Sequence, residues 1–196
     1  MDTGEAAAIP PGDDRSMSLE QAHAALVRGV LPMAAAVLIG FGLLYGWSAL
    51  VAGAGWWFAR PFVGIGALVL GIIVHEGLHA LGWLVAGKLP VRAIRFGVIW
   101  WALAPYAHAV EPMTARAYRI GAALPGIAIG LIPLATAFLL GDGALMLFGW
   151  LFSLAAGGDY VSIRALRGVN GDRRVVDHPS RVGGIVLDDP GRTASP

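Results

Sequence analysis

The chain has 196 residues, of which 57% are hydrophobic and only 14% charged, and its mean hydropathy is +0.67. A water-soluble domain would carry about 25% charged residues, and a net charge of +1 lacks the basic excess that nucleic-acid binding needs. With no cysteine, disulfides, thiolate metal sites and cysteine nucleophiles are excluded, so any metal must rest on His, Asp or Glu.

Residues 1–28 carry Asp2, Glu5, Asp13, Asp14 and Glu20 against Arg15 and Arg28, unlike the basic start of a secretory signal. They read as a polar cytoplasmic tail, with a short interfacial helix over 18–27. A spanning helix needs ~20 apolar residues, and the uncharged runs predict four such helices at 29–52, 61–86, 118–140 and 143–164. Residues 88–113 are too long for a turn and too interrupted for a fifth span. Within them Ile94, Phe96, Val98 and Trp100 share one parity, which predicts a strand, and Pro105 confines a second strand to an edge. Thr114 is positioned to cap the third span. Asp142, between Gly141 and Gly143, reads as a turn on the outer side.

Residues 168–196 are polar, with several Asp and Arg among Gly and Pro, and read as a second cytoplasmic tail. The expected architecture is an all-α integral membrane protein of about four transmembrane helices. A short cytoplasmic-side hairpin or re-entrant element joins the second to the third. The expected divisions are a tail over 1–28, a membrane-embedded domain over 29–167 and a tail over 168–196. With the N-terminus inside, Lys and Arg divide 13 inside to 1 outside, only Arg60 being exposed to the far side. Both termini are therefore expected in the cytoplasm. Abundant Arg, Ala and Gly suit a bacterial plasma membrane.

Inside the second span stands His75-Glu76-Gly77-Leu78-His79. On a helix, histidines four apart project from one face within reach of one metal ion, and Glu76 beside them can take a proton from a metal-activated water. Two imidazoles and a carboxylate within an apolar helix are costly, which makes a functional reading the default. Catalytic zinc takes three protein ligands, and Asp159 is the only acidic residue buried in another span. At 1.5 Å per residue His79 and Asp159 each lie ~10–12 Å from the inner ends of their spans, so they can meet at one depth. Gly157 and Gly158 are expected to let the fourth helix approach the second closely. His108 and Glu111, in the cytoplasmic loop, are candidate substrate or oxyanion contacts. Asp177 and His178 are weaker candidates for a place near the site, because they fall in the polar tail, where solvent is the expected neighbour.

The run His75-Glu76-Gly77-Leu78-His79, followed by Tyr106-Ala107-His108, Glu111-Pro112, Gly158-Asp159 and Asp177-His178-Pro179, resembles the bacterial membrane proteins grouped as zincin peptidases. More distantly it is similar to the site-2 intramembrane metalloproteases. The resemblance covers about residues 71–187. It implies a Zn2+ site with His75 and His79 as ligands, Glu76 as catalytic base and, by analogy with site-2 proteases, Asp159 as third ligand. The usual Leu-Asp-Gly context is here Gly158-Asp159-Tyr160.

The expected function is hydrolysis of peptide bonds near the cytoplasmic face. The expected partners are a membrane protein or peptide substrate and the lipid bilayer, with no nucleic acid. A strand around Ile94 to Trp100 would hold the substrate extended by edge pairing. Two other classes use the same cluster: a small transporter with a path for protons or a divalent metal, and a non-catalytic protein that binds membrane helices. A serine mechanism is disfavoured, because Ser153 lacks a Gly-x-Ser-x-Gly context.

Overall fold

A computed structural model describes residues 11–100, 104–178 and 181–188. Asp2, Glu5, Trp101, Pro179 and the chain past residue 188 lie outside the described residues. Four helices are long and apolar enough to cross a membrane, at Leu19–Tyr45, Pro61–Ala86, Ala115–Leu140 and Gly143–Ala165.

The first comprises α1 (Leu19–Ala25), a π-helical turn over Leu26–Val30, and α2 (Leu31–Tyr45). It starts at a capping box, in which the Ser18 hydroxyl accepts the Gln21 N–H and the Gln21 side chain accepts the Ser18 N–H. It stops at Tyr45 rather than continuing to residue 52. Gly46 adopts φ 83° and ψ 147°, a conformation open to glycine that ends the helical hydrogen bonding. The apolar run then forms a separate helix, α3 (Trp47–Phe58), whose 12 residues fall short of a bilayer span.

After a non-helical Arg60 the long α4 (Pro61–Ala86) follows and carries the His-Glu motif in its second half. β2 (Ile94–Ile99) and β3 (Ala104–Ala109) then pair antiparallel, with Phe96 opposite Ala107. Thr114 caps α5 (Ala115–Pro125), its hydroxyl accepting the Ala117 N–H at 3.2 Å. A π-helical stretch, Gly126–Leu131, leads into α6 (Ile132–Leu140). Asp142 caps α7 (Gly143–Ala155), and after a break at Ala156 the last helix is α8 (Gly157–Ala165).

The fold is mostly helical, but the all-α expectation is corrected by two sheets. β1 (Gly12–Asp14), β4 (Met113–Thr114), β5 (Arg174–Asp177) and β6 (Gly184–Leu187) form an antiparallel sheet in the order β1, β6, β5, β4. Stretches that read as solvated tail thus pair with each other across the whole length of the chain. Val175, Ile185 and Val186 are too few to mark a strand against the polar background, yet each is buried here.

Two apolar cores hold the helices. Near the motif, Ala80 and Trp83 of α4, Tyr118 and Ala122 of α5, and Val175 and Val186 of the sheet share one cluster. Toward the other end Phe41, Leu134, Ala137 and Met146 join α2, α6 and α7. Indole N–H groups tie helices together by donating to carbonyls on their neighbours: Trp57 to Ala144 at 3.0 Å and Trp150 to Ala34 at 2.9 Å. Tyr45 likewise donates its hydroxyl to the Phe138 carbonyl.

Lipid gives apolar helices no hydrophobic reason to associate, so close packing has to do that work. One close crossing is α4 on α5, where a Cβ built on Gly82 would lie 2.5 Å from the Gly121 Cα. Gly157 instead faces Leu26 of the first span and Gly158 has open space, so neither brings the fourth span onto α4 as expected; Phe152 does, lying over Gly71. Overpacking a tight contact costs about 1–3 kcal/mol. Gly82→Leu should therefore lower the thermal unfolding midpoint in detergent, whereas Gly66→Leu, on the same helix but with nothing near its Cβ, should not. Equal midpoints for the two variants would contradict this crossing.

Candidate metal centre

Helical periodicity creates the first half of the site. His75, His79 and Trp83 are spaced by four residues, and together with Gly71 and Ala80 they form the buried face of α4. The rings follow one another down this face: His75 to His79 at 4.9 Å between centroids and His79 to Trp83 at 5.4 Å, the latter pair stacked at 15°.

Neighbouring α5 fixes the orientation of His79. In a regular helix the carbonyl of Gly121 would receive the N–H of residue 125, but residue 125 is proline and has none. The His79 Nδ1 lies 3.0 Å from that carbonyl oxygen. A carbonyl can only accept, so Nδ1 carries the proton and Nε2 is left with its lone pair facing the other way. Trp83 adds a second tie by donating its indole N–H to the Tyr118 carbonyl at 3.3 Å.

α8 supplies the second half. The break at Ala156 redirects the chain, and Asp159 sits in the first turn of the new helix. Its Oδ1 is 3.2 Å from His79 Nε2 and its Oδ2 is 3.2 Å from His75 Nε2. The three side chains place one ligand atom each within 4.8 Å of one another, with both histidines buried and Asp159 half-buried.

The donor set fits a divalent cation. The His79 lone pair and a carboxylate oxygen, both electron-rich, point at one another at 3.2 Å, which is repulsive unless a positive charge lies between them. Asp159 Oδ2 is buried and makes no hydrogen bond of proper geometry with any described residue, despite its nearness to His75. Two imidazoles and one carboxylate are a usual catalytic set for zinc, which leaves a fourth position for water or substrate. The carbonyl bonded to His79 Nδ1 is the kind of outer partner that fixes a ligating imidazole.

The centre opens into a cavity of about 550 Å³ lined by His75, Glu76, His79, Tyr106, His108 and Asp159, among others. Glu76 lies close to the Ala107 amide of β3. His108 also stands on β3, with Nδ1 3.2 Å from Asp177 Oδ2. Glu111 does not line the cavity; it lies 3.6 Å from Arg92 at the surface. Asp177 and His178, taken from sequence as solvated, both line the cavity, because the terminal sheet folds back over it. Gly121 and Pro125 were also not singled out as a pair. Their signal is a glycine four residues before a proline within a predicted span.

A family model described as Putative zincin peptidase matches residues 68–172. No curated protein matches the chain, and no solved structure does. The match covers the two histidines, Glu76, β2, β3, α5 and Asp159, while Asp177 lies beyond it.

Detergent-purified protein incubated with zinc should carry about one ion per chain. His79→Ala should carry none, and Asp159→Asn should bind more weakly by over the ~10–100-fold that loss of an outer partner costs. Elemental analysis and competition with a chelator read both. Zinc retained in His79→Ala, or none in the unaltered protein, would overturn the centre.

Proposed function

The chain belongs to this zincin peptidase family, and from that premise we propose that it is a zinc-dependent membrane metalloprotease. It would hydrolyse peptide bonds in or beside the membrane, near the cytoplasmic face. The observation that carries this reading is the convergence of His75, His79 and Asp159 from two separate helices, with Glu76 beside them at the cavity wall. Zinc bound there would polarise the scissile carbonyl and make water acidic enough to attack at neutral pH.

The chain's own residues would manage the protons. The Glu76 carboxylate, beside the Ala107 amide, accepts a proton from the water that adds to the carbonyl carbon. It then passes that proton to the nitrogen as the C–N bond breaks, leaving a carboxylic acid and an amine. Water and ions can reach such chemistry because the cavity is bordered by the polar terminal segments as well as by the helices.

A helical substrate keeps its carbonyls in its own hydrogen bonds, so it must be extended to react. The strand beside Glu76 is β3, not β2. Val110 N–H bonds back to the Ala93 carbonyl, which by alternation turns residues 105, 107 and 109 of β3 away from β2. On that outer edge Pro105 has no N–H and those of 107 and 109 are turned to Glu76 and Asp177, so an extended substrate would meet it through the strand's outward carbonyls.

Purified protein in liposomes with bacterial membrane protein should generate new amino termini within or next to membrane spans, read by mass spectrometry. Glu76→Gln should retain zinc and lose cleavage by about 10²–10⁴-fold. New termini that do not depend on Glu76, or zinc or proton flux that does depend on it in the absence of cleavage, would replace this reading with that of a transporter.

A further inference from the structure

Asp177 joins three parts of the molecule through one carboxylate. Its Oδ1 accepts the Tyr118 hydroxyl of α5 at 2.8 Å, and its Oδ2 accepts the Ala109 N–H of β3 at 3.2 Å. The same Oδ2 lies 3.2 Å from His108 Nδ1, and the Asp177 side chain is only 12% exposed. At that ion-pair distance the carboxylate, an acceptor, favours a proton on the Nδ1 that faces it. The opposite end of the ring, Nε2, is then left for the cavity that His108 lines together with Glu76, His75 and His79. Tyr118 links the same carboxylate to the metal-binding helix, since its carbonyl receives the Trp83 indole N–H and Trp83 stacks on His79.

Asp177 touches no candidate metal ligand directly, and it lies five residues beyond the stretch that the family model matches. Its carboxylate is nevertheless what faces the ring of His108 and holds the outer edge of β3 beside Glu76. A histidine on a two-stranded sheet has two side-chain torsions to settle, and a bond to one ring nitrogen settles both the tautomer and the direction of the other nitrogen.

We propose that Asp177 is a positioning residue, which holds His108 with Nε2 turned into the cavity so that this atom hydrogen-bonds the reacting peptide group. The terminal sheet thereby completes the substrate side of the site. This rests on the metalloprotease reading above, and deepens it by adding a substrate contact and the group that aims it.

The test uses the zinc-loaded full chain in detergent and two probes. Acetohydroxamate needs only the metal. A blocked phosphinic tetra-alanine presents a tetrahedral group together with flanking peptide, as a reacting substrate would. Asp177→Ala and His108→Ala should each keep zinc and acetohydroxamate affinity within about twofold, and lose about tenfold in affinity for the phosphinic peptide. In the His108→Ala background Asp177→Ala should cost nothing further, because it acts through His108; a merely structural Asp177 would cost as much again. Asp177→Asn should restore most of the affinity, because its amide oxygen can still accept from Ala109 and His108 while its NH2 turns to the Tyr118 hydroxyl.

A direct readout needs no variant to fold. In 15N-histidine spectra of the unaltered protein, His108 should show a protonated Nδ1, and an unprotonated Nδ1 there would overturn the proposal. So would phosphinic-peptide binding that is absent from the unaltered protein, or unchanged in both alanine variants, while zinc and acetohydroxamate bind normally. Absence of zinc and of acetohydroxamate binding alike would instead bring down the metalloprotease reading.

Discussion

The contact between the His79 imidazole and the Gly121 carbonyl is the interaction on which the rest of the site depends. Within hydrocarbon, a carbonyl without a donor and an imidazole N–H without an acceptor each cost several kcal/mol. Pro125 creates the first and the motif supplies the second, so each meets the other's need. The bond forms only if α4 and α5 cross closely, which is why glycine stands at both 82 and 121. The register of the two helices then determines which way His79 Nε2 points.

Asp159 completes the centre from a direction that α4 and α5 leave open. Had the fourth span continued as one straight helix through Ala156, the face presented at residue 159 would follow the register of α7. The break gives α8 its own direction, and the carboxylate reaches both imidazoles at equal distances. The acidic side chain in the first turn of α8 also suits the positive end of the helix dipole. The two ends of the described chain then form one sheet, which borders the cavity and delivers Asp177 to β3.

The four apolar helices and the His-Glu motif were legible because both rest on local rules: span length, the absence of charge and a spacing of four residues. The N-cap at Thr114 followed in the same way from its own short stretch of chain. Asp159 was legible by elimination, since few acidic residues lie in apolar runs. The break at Gly46 was harder to see, because many spanning helices contain glycine without breaking there. The terminal sheet was illegible, because strands such as Gly12–Asp14 and Arg174–Asp177 have no apolar alternation and exist only through partners far away in sequence. For the same reason Asp177 and His178 were taken for solvent-facing residues, and Glu111 was set beside His108 although the two go to different places.

By itself the sequence determined that this chain has four helices fit for a bilayer, and that two imidazoles and a carboxylate share one helix among them. Hydropathy and a period of 3.6 residues act over a few turns, and need no knowledge of what lies across the molecule. Only the tertiary structure decided how His79 is turned, that Glu111 stands at the surface while His108 lines the cavity, and that a strand from the C-terminal segment borders it. Each of these depends on where two distant backbones cross, and a crossing is the outcome of packing over the whole chain, which no local pattern encodes.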